Sequence, residues 1–128
     1  MHKFVRSVSA AALLGLAALS SFAGEVPYDP AKFDAALAKG EPVIVDFAAS
    51  WCPTCKQQKP IVDALLKEPK RAPVTLFLAD FDKEEALKQR LKVTMQSTFV
   101  VFKGGKEVGR STGQTQKPAL AELFDRAL

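Results

Sequence analysis

The sequence predicts an α/β domain of three layers, a central mixed β-sheet with helices on both faces. Short β-branched apolar runs at Val43–Ala48 and Val74–Asp80 alternate with segments of helical period, and such alternation builds a parallel sheet covered by helices. A later run, Thr98–Phe102, is followed by Lys103-Gly104-Gly105-Lys106 and a second extended stretch, which reads as an antiparallel hairpin. Setting aside the first 23 of 128 residues leaves 105, enough for one compact domain and no more.

Residues 1–23 read as a cleavable export signal. Lys3 and Arg6 make its basic start, Ala10 to Leu19 is apolar apart from Gly15, and Ser21-Phe22-Ala23 has the small-x-small form of a cleavage site. The apolar run is short for a membrane span, and no cysteine follows it for lipid attachment. The domain is therefore assigned to residues 24–128 and the protein to the periplasm. Losing Lys3 and Arg6 leaves 16 basic residues against 14 acidic, a net charge of +2 in place of +4. So weak an excess, with no basic run interleaved with aromatics, argues against nucleic-acid binding. The single histidine, His2, leaves with the signal, so no imidazole remains for general-base or metal-ligand work.

Gly24 to Tyr28 reads as a leader, either frayed or adding an edge strand. Asp29-Pro30 is an N-cap followed by proline at the first helical position; Phe33, Ala36 and Leu37 keep helical spacing, and Gly40 fits the helix end. The run Val43–Ala48 reads as a central strand buried on both faces. After the two cysteines, Ile61, Val62, Leu65 and Leu66 carry a helical period to about Lys67, with Pro60 inside it as an expected kink. Glu68–Pro73 is a loop, Val74–Asp80 the second strand, and Lys83–Leu91 a charged helix with Ala86, Leu87 and Leu91 on one face. Thr98–Phe102 and Glu107–Ser111 form the hairpin. Gly113 breaks the chain, and Pro118 opens a last helix carrying Leu120, Leu123 and Phe124.

The chemistry is concentrated in Trp51-Cys52-Pro53-Thr54-Cys55-Lys56, which holds both cysteines at the junction of strand and helix. A sulfur at a helix start meets unsatisfied N–H groups and the positive end of the helix dipole, which favour thiolate over thiol. The second sulfur, one turn on, is close enough to close a disulfide with the first and so exchange two electrons. A purely structural bond is the plain alternative in an exported protein, but a bridge over two residues closes too small a loop to stabilise much. Asp46 interrupts the buried strand. An ionised carboxylate there is expensive, so its pKa is expected to be raised; a catalytic role is weighed against simple pairing with backbone or a wet edge.

These features in their order resemble the thioredoxin family over nearly all of residues 24–128. Trp51-Cys52-Pro53-Thr54-Cys55-Lys56 resembles the family's Trp-Cys-x-x-Cys-Lys site, Asp46 its buried aspartate, Pro60 its helix proline, Phe102-Lys103-Gly104-Gly105 its strand-to-turn signature and Gly113 the glycine before its last helix. Three positions depart from the pattern. Ser97 stands where the family keeps a cis-proline that docks substrate and keeps metals off the cysteines. A non-proline cis bond costs about 2.5–4 kcal/mol, so Gln96–Ser97 is expected to be trans; the Ser97 hydroxyl either bonds a bound chain or a sulfur, or caps the strand end. Pro53-Thr54 replaces the Gly-Pro of cytosolic thioredoxins. Leu78 stands where many members place a lysine beside the aspartate, which leaves Asp46 more strongly desolvated.

The resemblance implies thiol–disulfide exchange with protein or small-thiol substrates and no cofactor. The Asp46 and Trp51 context leans to a reductase, Pro53 and the exported compartment to an oxidase or isomerase, and the reductase is the reading preferred. Cys52, expected to be exposed, attacks; Cys55, expected to be the more buried, resolves; Asp46 serves as acid/base for Cys55. Trp51, Pro53, Thr54, Gln96, Ser97 and Thr98 are the implied substrate contacts. A membrane electron donor or acceptor is the implied partner, and the protein is expected to act as a monomer. Two other classes are carried beside this one: a metal or iron–sulfur protein using Cys52 and Cys55, completed across a dimer, and a redox-inert interaction module. A c-type haem is excluded because Lys56, not histidine, follows Cys55.

Overall fold

The structure, a computed structural model, describes residues 24–128; the export signal proposed for residues 1–23 lies outside the described residues. Among the described residues five strands and four helices follow one another as β1 (Gly24–Pro27), α1 (Pro30–Ala38), β2 (Val43–Ala48), α2 (Pro53–Lys67), β3 (Thr75–Asp80), α3 (Glu85–Leu91), β4 (Thr98–Lys103), β5 (Lys106–Thr112) and α4 (Lys117–Asp125). The sheet order is β1-β3-β2-β4-β5, with β1, β3 and β2 parallel and β4 and β5 antiparallel. The predicted mixed sheet is therefore present, and of the two readings of Gly24–Tyr28 the edge strand holds, Glu25 standing opposite Leu76.

Side chains alternate across a strand, and β2 divides the core accordingly. Val43, Val45 and Phe47 pack with Phe33 of α1, Phe77 of β3 and Leu87 of α3 on one face. Ile44 packs with Val62 and Leu65 of α2 and with Phe124 of α4 on the other. Asp46 shares the parity of Ile44, so the pleat turns it toward α2. Phe33 meets Phe77 and Phe102 edge-on, both with centroids 5.7 Å apart, the arrangement aromatic quadrupoles prefer.

Local chemistry accounts for most element ends. Asp29 caps α1 by accepting the Lys32 N–H at 2.9 Å, and Gly40 follows in the left-handed region at φ +69°, where glycine is free of the Cβ penalty. Helix α3 starts at Glu85 rather than the expected Lys83. Asp80 is the reason: its carboxylate accepts the Asp82 N–H and its carbonyl accepts those of Lys83 and Glu84, so a turn precedes the helix. Between α2 and β3 the expected loop contains a short 3₁₀ turn, Pro69–Arg71. Arg71 is buried there, bonded to Glu68, to the Leu65 carbonyl and to Asp125, which ties the turn to α4.

Candidate active site

The functional residues collect at one end of the sheet, where β2 ends and β4 begins. β2 runs into the turn Ala49–Cys52 and then into α2, with Cys52 as its N-cap and Pro53 at the first helical position, where the missing N–H costs nothing. The antiparallel register sets Phe47 opposite Thr98, and Ser97 N donates to Phe47 O at 2.8 Å. Residues 97 and 52 are thus brought together by sheet pairing, across 45 residues of chain.

Cys52 and Cys55 form a disulfide, their Cα atoms 5.3 Å apart. Cys55 N donates to Cys52 Sγ at 3.1 Å, so the first sulfur takes the place of a capping oxygen. The expected exposures are corrected. Cys52 is 1 % exposed, whereas Cys55 is half-buried and lines a cavity of about 440 Å³. Capping turns Cys52 inward over the helix start, and Ser97 lies against it with Oγ 3.0 Å from Cys52 Sγ and 3.2 Å from Cys55 Sγ.

The Gln96–Ser97 bond is trans, as no peptide bond is cis among the described residues. Ser97 has φ +61°, a left-handed conformation that costs a non-glycine residue about 1–3 kcal/mol unless its surroundings hold it. They do: beside the Phe47 contact, its carbonyl accepts from Gly113 N at 3.0 Å and from Gln58 Nε2 at 3.3 Å. Of the readings given for its hydroxyl, contact with sulfur is the one realised.

Asp46 is 9 % exposed and its Oδ1 has no hydrogen-bond partner among the described residues. Burial pushes its carboxyl up to about 7, the Glu25 carboxylate adds to the rise, and the Lys59 ammonium opposes it. Asp46, Cys55, Glu25, Lys59 and Leu78 line the same cavity. The expectation that Leu78, in place of a lysine, leaves Asp46 strongly desolvated holds, and a different cation offsets it in part. Leu78 stands opposite Asp46 in the sheet, and Lys59 reaches the cavity from α2, 3.9 Å from Glu25 and 3.5 Å from Asp63. Desolvation still decides the sign.

The remaining predicted contacts divide. Trp51 is 54 % exposed, its indole donating to Asp82 at 2.7 Å; Pro53 is exposed, and Thr54 and Gln96 are half-buried. Thr98 is buried, and its hydroxyl is engaged with Met95 O and Thr112 Oγ1, both at 2.8 Å. Its side chain braces the 95–98 turn rather than facing a substrate. Met95, not anticipated, is 52 % exposed on that turn.

Gln58, Glu25, Lys59 and Asp82 were not anticipated either. Gln58 had a signal: residues 58, 62 and 65 form one buried stripe of α2, and an amide on an apolar stripe demands partners. Its Nε2 finds them in the carbonyls of Ser97 and Gln114, whereas its Oε1 has no partner among the described residues. Glu25 and Asp82 carried no local signal, because their roles depend on strand order and on a loop. As for metals, the described residues contain no group of three or more His, Cys, Asp or Glu side chains placed to hold one. The two sulfurs alone are half a tetrahedral set.

Comparison with known proteins places this arrangement among relatives. A thioredoxin family profile matches residues 25–126. Thioredoxin from Chlamydia trachomatis is 36 % identical over 84 residues, 66 % of this chain and 80 % of that protein. Thioredoxin-2 from Saccharomyces cerevisiae is 35 % identical over 83 residues, 64 % of this chain and 78 % of its own length. Among solved structures, Trxlp from Edwardsiella tarda superposes with a TM-score of 0.77 at 38 % identity, covering 79 % of this chain and 98 % of that one. The oxidised thioredoxin from Plasmodium falciparum gives 0.63 at 28 %, covering 81 % and 96 %.

Proposed function

The chain belongs to the thioredoxin family and is a thiol–disulfide oxidoreductase, and from that premise we propose that it works as a net reductant of protein disulfides in the periplasm. Cys52 is the attacking thiolate, Cys55 the resolving thiol and Asp46 the acid/base for Cys55. The observation that carries this reading is the Asp46 carboxyl in the cavity lined by Cys55. Reducing a substrate requires Cys55 to give up its proton in the second step. A carboxyl titrating at about 7 is matched to take it at neutral pH.

Donors favour Cys52 as nucleophile, since the Cys55 N–H and the Ser97 hydroxyl both meet its sulfur and thiolate is the reactive form. Its burial is that of the oxidised pair, and this reading requires its sulfur to be reached by substrate once the bond to Cys55 is broken. Exposed Trp51 and Met95, with Pro53, Thr54 and Gln96 beside them, supply the surface against which an extended substrate lies. The basic, apolar and small-x-small pattern of residues 1–23 supports export. An exported reductant needs electrons passed across the membrane, which calls for a membrane-embedded dithiol donor. One domain carries the sulfur pair, the acid and the covering turn, so a monomer suffices.

The test is the reduction potential of the pair together with its redox state in the periplasmic fraction of freshly acid-quenched cells. A potential in the span of thioredoxins and glutaredoxins, about −270 to −200 mV, is expected, with a reduced pair on a chain beginning at Gly24. An oxidised pair with a potential near about −120 mV, the range of strong oxidants, would overturn the direction. Recovery only from the cytoplasm would overturn the location.

A further inference from the structure

The Ser97 hydroxyl stands where nothing else competes for it. Ser97 is 3 % exposed, and among the described residues the only hydrogen-bond partners of its Oγ are the two sulfurs, at 3.0 and 3.2 Å. Neither sulfur of a disulfide carries a proton, so Ser97 is the donor to both, with one O–H shared between two acceptors. The backbone beneath it is fixed by Phe47 O, Gly113 N and Gln58 Nε2. Rotation about the Ser97 Cα–Cβ and Cβ–Oγ bonds is the freedom left to it.

We propose that Ser97 is a catalytic hydrogen-bond donor that follows the negative charge from one sulfur to the other during exchange, and that it thereby favours the reduced pair. This rests on the exchange reading of Cys52 and Cys55. In the first step the Cys52 thiolate attacks one sulfur of a substrate disulfide; a Cys52–substrate S–S bond forms, the substrate's own S–S bond breaks, and its second sulfur leaves as a thiolate with the electron pair. In the second step Cys55 passes its proton to the Asp46 carboxylate and attacks Cys52 Sγ. The Cys52–Cys55 bond forms, the mixed disulfide breaks, and the other substrate sulfur leaves as a thiolate. The cysteine pair has lost two electrons and the substrate has gained them. Before each attack one protein sulfur is anionic, and the same hydroxyl reaches it. An O–H donated to a thiolate is charge-assisted and stronger than one donated to a neutral disulfide sulfur, so Ser97 stabilises the reduced side of the couple.

The experiment compares Ser97→Ala and Ser97→Gly with the wild-type protein, equilibrating each with a glutathione redox buffer and following the ultraviolet absorbance of the Cys52 thiolate against pH. Both variants lack the donor, but glycine relaxes the left-handed backbone while alanine does not. A loss of strain would therefore separate the two, and a loss of the donor would move them together. The charged groups lining the cavity, Glu25, Asp46, Lys56, Lys59 and Asp80, and Asp82 held by Trp51, are unchanged in both. The expected result is a roughly tenfold fall in the equilibrium constant for reduction by glutathione in both variants, equal to about 30 mV for a two-electron couple, with the thiolate midpoint raised by about one pH unit. Variants within twofold of wild type, or shifted in opposite directions, would overturn the role of Ser97 while leaving the exchange activity standing. A wild-type pair that does not equilibrate with glutathione at all would overturn the exchange reading and this role with it.

Discussion

Replacing Cys55 by serine lowers disulfide turnover on the order of a thousandfold or more and leaves the protein covalently joined to its substrates through Cys52. The expectation follows from a two-step exchange in which the first sulfur makes the mixed disulfide and the second breaks it. Without Cys55 no sulfur stands beside Cys52 to take over that step, since the chain has two cysteines, and serine in its place is no nucleophile toward sulfur at neutral pH. Non-reducing electrophoresis of the variant recovered from acid-quenched cells, followed by mass mapping, reads the adducts. Cys52→Ser should be equally inactive and free of adducts. If instead Cys52→Ser accumulates them through Cys55, the half-buried sulfur that lines the cavity is the attacking one and the two roles are exchanged.

Asp46→Asn has opposite effects on stability and on rate. Burial holds the native carboxyl at about 7 against 3.8 for an ordinary aspartate. The native state therefore binds more protons than the unfolded chain between those values, and stability falls as pH rises through that window. The contribution of the neutral carboxyl is complete below pH 3.8 and gone above about 7. At about 1.36 kcal/mol per unit of pKa, the charged carboxylate costs roughly 2–4 kcal/mol at pH 8 relative to a neutral isostere. Chemical unfolding of the oxidised protein should accordingly find Asp46→Asn more stable than wild type by about that amount at pH 8 and nearly equal to it at pH 4. Over the same range the variant should resolve mixed disulfides about a hundredfold more slowly, the usual loss for an acid/base group, and the rise in wild-type rate through pH 7 should flatten. Equal stability of the two proteins at both pH values would mean that the site does not confine the charge.

These effects were legible from the sequence to unequal degrees. The central strand, the Cys-x-x-Cys at a helix start and the lone acid within an apolar run are local patterns, and each is found where periodicity and capping chemistry put it. The neighbours of that acid are not local. Lys59 was hidden because a lysine on a helix ordinarily reads as a solvated charge, and only the packing of α2 against the sheet turns it toward Asp46. Glu25 enters through the pairing of β1 with β3, which strand composition alone does not specify. At Ser97 the trans bond follows from the absence of proline, but the left-handed backbone depends on contacts with residues 47, 58 and 113, all distant in the chain. The exposures of the two cysteines came out reversed for a related reason. The helix position was readable, whereas the hydroxyl that covers Cys52 lies 45 residues further on.

What the mechanism requires is one sulfur that ionises more readily than the other and can be reached in the reduced protein. Brief treatment of the reduced protein with iodoacetamide near neutral pH, followed by peptide mass mapping, measures this directly. Modification of Cys52 at least about ten times faster than of Cys55, with a rate governed by an ionisation below the ordinary thiol value of about 8.5, is the predicted result. Equal rates at the two cysteines, or modification of Cys55 first, would contradict it.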